Sequence, residues 1–140
     1  MNRLTNYSNH INYDNNIVGK IHKIWKKKND NDIIFNRENI KTTFINKNGL
    51  VDDKNDYKTL ERAILIQTEE NYNILKNKFP ELNIDKNLAS CGENVYISGF
   101  NSNNIYIGDI FMTTGGVIIE VSSPRKPCIK WTKKYNTDDI

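Results

Sequence analysis

Two cysteines occur in the chain, and one of them, Cys128, closes the run Pro124-Arg125-Lys126-Pro127-Cys128, with Lys130 two residues beyond. A thiolate is the nucleophilic and metal-binding form of cysteine, and adjacent positive charge favours it over the thiol. Soft sulfur suits a soft metal centre and equally suits a persulfide carrier. The competing reading is a small buried hydrophobe, the commonest fate of a free cysteine. Cys91 reads as a structural thiol, with a disulfide or persulfide relay to Cys128 as the alternative. His10 and His22 show no metal-ligand spacing with each other or with the cysteines. No phosphate-binding loop, nucleotide fingerprint or serine, histidine and acid set stands out.

Such residues need a frame. Ile17 to Trp25 alternates in part and reads as an opening strand, followed by the polar turn Lys26-Lys27-Lys28-Asn29-Asp30. Ile33 to Phe35 and Lys41 to Ile45 read as short strands, and Asn48-Gly49 marks a tight turn. Arg62 to Gln67 holds a compact apolar run whose length favours a buried strand. Thr68 is an N-cap with Glu69 and Glu70 in the first turn, so a helix should run to about Lys78, before Phe79-Pro80. Val95 to Ser98, Asn104 to Met112 and Gly116 to Ser122 are strand-like. Short glycine-punctuated strands with one clear α-helix predict a mainly β domain, a barrel or sandwich. Thr137-Asp138-Asp139 resembles a helix start with no room for the helix.

Length and charge bound the rest. At 140 residues the chain fits one domain, with 1–16 as a flexible polar tail and 17–140 as the folded unit. A net charge of +3 is far from the clustering of a dedicated nucleic-acid binder, so nucleic acid is not the expected partner. Two cysteines argue against a disulfide scaffold, and no apolar run approaches the roughly 18 to 20 residues that cross a bilayer. The expectation is a soluble cytoplasmic protein with no membrane partner. The excess of Asn, Lys, Ile and Tyr follows AT-rich codons more than function, which discounts the asparagines.

Three stretches in order resemble the MOSC domain, named after the C-terminal domain of molybdenum-cofactor sulfurase, and above all its stand-alone bacterial branch tied to hydroxylaminopurine resistance. They are Cys91 to Phe100 (CGENVYISGF), Ile107-Gly108-Asp109-Ile110-Phe111, and Val121 to Lys130 (VSSPRKPCIK). The resemblance implies a barrel-like fold, binding of the pterin-based molybdenum cofactor (molybdopterin), and Cys128 as the metal or sulfur ligand and catalytic residue. It also implies a cradle for the cofactor's phosphate from Arg125, Lys126, Lys130 and the helix start at Thr68, with the Asn94 amide on the pterin. Solvent-facing cations and a turn asparagine are the alternatives for those residues. Glu93 reads as a structural partner for an N–H or a cation, and Asp109 as a turn residue.

Two departures from the family pattern stand out. Gly49-Leu50-Val51-Asp52-Asp53 replaces Gly-Leu-x-Gly-Asp, and Tyr57-Lys58-Thr59 falls where His-Gly-Gly is usual. Family members also continue past the cysteine, so a barrel incomplete at its C-terminal side is expected. The family's link to pyridoxal phosphate rests on a separate desulfurase domain. The leading expectation is reduction of N-hydroxylated compounds, or transfer of cofactor or sulfur, served by an electron-donor or sulfur-donor protein. A degenerate scaffold domain is the alternative, and nucleic-acid binding through the lysine run a third.

Overall fold

Strand β3 (Ile17–Lys27) buries Ile21 and Ile24 on one face, three residues apart, although side chains on a straight strand alternate. A bulge between Ile21 and Lys23 reconciles the two by leaving His22 as the extra residue. This computed structural model describes residues 2–5, 10–13, 17–27, 37–54, 59–126 and 129–136.

The strands are β1 (Asn2–Thr5), β2 (His10–Tyr13), β3, β4 (Arg37–Ile40), β5 (Thr42–Asn46), β6 (Gly49–Leu50), β7 (Ile66–Thr68), β8 (Val95–Ser98), β9 (Ile110–Thr113) and β10 (Ile118–Glu120). A large sheet runs β10-β9-β2-β3-β8-β7 with β4 also on β3, and a small one runs β1-β5-β6. All pairs are antiparallel except β7 with β8. Leu4, Ile45 and Leu50 of the small sheet meet Ile11, Ile21, Ile24, Val95, Ile97 and Phe111 of the large one in a single core. Each such side chain contributes about 1.5–3 kcal/mol by leaving water. Among the described residues the ladders form two facing sheets rather than one closed barrel.

Helix α1 (Glu69–Lys78) follows β7 and lies with α2 (Ile129–Tyr135) against a second apolar cluster of Tyr72, Ile84, Tyr96, Trp131 and Tyr135. The α1 bounds match the expectation from Thr68 and Phe79-Pro80. Several others differ. Two strands occupy the expected polar tail, because Leu4 and Ile11 are each 1% exposed and anchor them in the core. Arg62 to Gln67 is a strand only from Ile66, since Leu60–Arg62 form a 3-10 turn. The second late strand, expected from Asn104, starts at Ile110, after a turn that Asp109 closes by accepting the Tyr106 N–H at 2.7 Å. The C-terminal helix arises where none was expected, on Trp131 and Tyr135 four residues apart. The expected strand at Ile33 to Phe35 and the helix-like start at Thr137 lie outside the described residues. Among the described residues no helix is long and apolar enough to cross a membrane.

The altered glycine loop is visible in part. Gly49 has φ +112°, and a Cβ there would sit 2.2 Å from the Ala63 carbonyl oxygen, so only glycine fits. Asp52, where the motif has its second glycine, is itself left-handed at φ 62°. Asp52→Gly is expected to stabilise the fold by up to about 1 kcal/mol, read from urea unfolding, because it removes the Cβ penalty at that φ.

Candidate functional site

The motif asparagine and the motif aspartate bond to each other. Asn94 is fully buried, and its Nδ2 donates to Asp53 Oδ2 at 3.0 Å and to the Trp25 carbonyl at 3.2 Å. Its Oδ1 accepts the Leu65 N–H at 3.1 Å, and its own carbonyl accepts the Trp25 N–H at 2.7 Å. One side chain therefore ties β3, the turn after β6 and the lead-in to β7. Asp53 accepts the Lys27 N–H on Oδ1 at 2.7 Å and faces the Arg37 guanidinium at 3.8 Å, both side chains almost wholly enclosed. Lys27 and Arg37 stand opposite each other in the β3–β4 ladder, which brings Arg37 to this carboxylate.

Glu93, the neighbour of Asn94, is 0% exposed. Its Oε1 accepts the Tyr72 hydroxyl from α1 and its Oε2 accepts the Cys91 N–H at 3.2 Å. This is the structural partnership expected of it. Burial pushes the Glu93 carboxyl up, against the pull of Tyr72 and Arg37. Burial likewise raises the Tyr72 phenol, and the charge of Glu93 adds to that. The Cys91 thiol is pushed up to about 11, chiefly by burial, so it is protonated at neutral pH. A thiol in that state is a poor relay nucleophile.

Burial also lowers the Arg37 guanidinium; Asp53 and Glu93 oppose the shift and Arg125 adds to it. Arg125 and Lys126 are exposed, on a segment tied down where Ser122 Oγ donates to the Glu61 carbonyl at 2.6 Å. Cys128 lies outside the described residues, as does the side chain of Lys130, whose backbone opens α2. That helix is pinned beside Cys91: Trp131 Nε1 and Tyr135 OH both donate to the Ser90 carbonyl, at 3.1 and 3.0 Å.

Thr68 is buried, and its hydroxyl accepts the Asn71 N–H at 3.1 Å. Gln67 Oε1 accepts the Thr68 N–H at 3.1 Å and the Asn71 amide at 2.8 Å. With Glu69 and Glu70 in the first turn, this helix start is already supplied with acceptors and acids. Of the residues singled out in the sequence, Asn94 is joined to Asp53 and, through it, to Arg37, while Arg125 and Lys126 are exposed on the segment before Cys128. Thr68 and Asn94 are engaged in internal bonds. Arg37 itself carries no sequence signal that separates it from the other 19 basic residues, the chain holding 20. The exposed cations Arg125 and Lys126 are the groups here that could meet an anion. Among the described residues no group of three or more His, Cys, Asp or Glu is placed to hold a metal.

Residues 29–140 match the family of the MOSC domain. Protein YiiM of Escherichia coli (strain K12) is 35% identical over 80 residues, which is 57% of this chain and 35% of that protein. Uncharacterized protein YflK of Bacillus subtilis (strain 168) is 38% identical over 52 residues, 37% of this chain and 23% of that one. A protein named Reductase from Gibberella moniliformis is 35% identical over 48 residues, 34% of this chain and 9% of that one. A crystal structure of a hypothetical protein superposes with a TM-score of 0.65 at 26% identity, covering 84% of this chain and 50% of its own. The matches therefore span about a third of YiiM and half of the solved relative.

Proposed function

The chain belongs to the MOSC domain family, and from that membership we propose that it binds the pterin-based molybdenum cofactor with Cys128 as the metal ligand. The observation that supports this reading is the family match over residues 29–140, in which the motif residues Asp53 and Asn94 are joined at 3.0 Å and Arg125 and Lys126 are exposed on the segment leading to Cys128. Exposed cations favour an anion, and the phosphate of the cofactor is such an anion. These residues fit the group. Arg125 and Lys126, both exposed, would meet the phosphate, with Lys130 adding charge, while Asp53 and Asn94 hold Arg37 and the surrounding loops in place. Bound there, the cofactor would supply a metal centre able to exchange two electrons with a substrate.

The reaction we favour is reduction of N-hydroxylated compounds, with transfer of cofactor or sulfur as the variant that the same thiolate would serve. Electrons would come from a donor protein, since the sequence carries no flavin, haem or iron-sulfur motif. The relative named Reductase, in which the matched segment is 9% of the length, supports a reductive role. A non-catalytic binding role is the second reading, favoured by Asp52 in the position of a motif glycine.

The test is molybdenum and pterin content after purification from cells that make the cofactor. Near-stoichiometric metal is expected, falling more than about 100-fold in affinity in Cys128→Ser because a direct ligand is lost, beyond the 10- to 100-fold of an outer-sphere change. Folded wild type without metal or pterin overturns the reading and leaves the non-catalytic one.

A further inference from the structure

His22 and Ser98 lie on the face of the large sheet away from the shared core; Ser98 ends the strand of the Cys91 to Phe100 stretch, but neither residue takes part in the Asp53–Asn94 network or in the proposed metal ligation. His22 Nε2 is 2.6 Å from Ser98 Oγ, across two strands and 76 residues of sequence. Both residues are half-buried, so the hydroxyl is reachable from solvent. His22 is the extra residue of the β3 bulge, and bulges re-aim a side chain out of the regular ladder. Ser98 ends β8, and Gly99 at φ 92° turns the chain away directly after it. The imidazole is steadied by the Tyr96 ring, centroids 5.3 Å apart at a tilt of 36°.

We propose that Ser98 and His22 form a nucleophile and general-base pair that takes an acyl group from small activated esters, an activity separate from the molybdenum chemistry. With the imidazole proton on Nδ1, Nε2 accepts the Ser98 O–H. That proton passes to Nε2 as Oγ bonds to the ester carbonyl carbon. The adduct then collapses, the carbon to alkoxy-oxygen bond breaks, and the leaving alcohol takes the proton back from Nε2. Water, deprotonated by the same nitrogen, attacks the acyl group and breaks its bond to Oγ, releasing the carboxylic acid and restoring Ser98. Nothing is oxidised or reduced. Lys20, directly opposite Ser98 in the ladder and exposed, offers an ammonium to the developing oxyanion.

The charged groups around the imidazole are Lys20 on its own strand, Glu69 on α1, and Lys86, which bonds Glu69 at 3.4 Å. Burial first, then Lys20 and Lys86, lower its pKa, while Glu69 raises it. The lowering wins. The imidazole is therefore neutral, the form a base requires, at pH 7.

The experiment is acylation by p-nitrophenyl acetate, followed by nitrophenolate release and by peptide mapping of the acetyl group. The wild type should carry one acetyl on Ser98, and both Ser98→Ala and His22→Gln should slow release about 100-fold, at the low end of general-base effects. The wild-type rate should rise with an apparent pKa below 6.5 and be level by pH 7.5, a profile absent from His22→Gln. Acetyl found only on lysines, or release from a folded His22→Gln as fast as from wild type, overturns the proposal. Should Ser98→Ala fail to fold, the mapped site on wild type and the His22→Gln rate still decide the matter.

Discussion

Asp53→Ala is expected to destabilise the fold by about 3–5 kcal/mol, the range for removing one partner of a buried ion pair. Three groups lose an acceptor at once: the Lys27 N–H, the Asn94 amide and the Arg37 guanidinium. The guanidinium matters most, since a buried donor that keeps its charge loses its nearest compensation while the others can be neutral and still fold. Urea unfolding should show the midpoint falling at an unchanged slope. A double-mutant cycle isolates the source. Arg37→Met removes the charge, so the double variant should be at least about 1 kcal/mol more stable than the sum of the two singles implies. Additivity to within about 0.5 kcal/mol would locate the loss in the Lys27 and Asn94 bonds instead.

The elements that were legible in the sequence are those whose signal is local. Thr68 caps α1 and Phe79-Pro80 ends it within a residue, because cap chemistry and a missing N–H act over one turn. Val95–Ser98 was read to the residue. Strands β1 and β2 were not, since Leu4 and Ile11 are single apolar residues in polar surroundings and gain their role only when the two sheets close on them. The β3 bulge hides for the same reason. Straight alternation puts Ile24 with His22 and Lys20, and only pairing with β8 shows Ile24 facing inward with Ile21. At the site, Glu93 was legible as a structural acceptor, while Arg37 was not, because its value lies in meeting Asp53 through the β3–β4 register rather than in any spacing along the chain. The Asn94 amide was expected on a ligand; three internal bonds occupy it, a contact pattern no single-sequence reading supplies.

Glu93→Gln should change how stability depends on pH more than it changes stability at any one pH. The folded carboxyl titrates above its unfolded value because burial disfavours the charge. Below the unfolded value of about 4.3 both states are protonated and the contribution of Glu93 is fully present. As pH rises past it the unfolded chain releases a proton that the folded chain keeps, so stability falls by up to about 1.4 kcal/mol per pH unit until the buried carboxyl ionises. Glutamine cannot follow. Its amide can accept the Cys91 N–H and donate to the Tyr72 oxygen at every pH, so wild type should lose stability relative to the variant as pH climbs from 4. Tyr72→Phe removes the hydroxyl that opposes the shift, and should carry the decline on to higher pH at the same limiting slope. A difference between wild type and Glu93→Gln that stays flat from pH 4 to 7 would sink this account. The same titration bears on the anion site. While Glu93 holds its proton, Arg37 faces Asp53 alone as counter-charge within this network, and once it ionises a second carboxylate lowers the positive potential that an incoming phosphate meets. Inorganic phosphate affinity of wild type is therefore expected to weaken relative to that of Glu93→Gln as pH rises through the Glu93 titration, the ratio cancelling the ionisation of phosphate itself, measured by calorimetry at constant ionic strength.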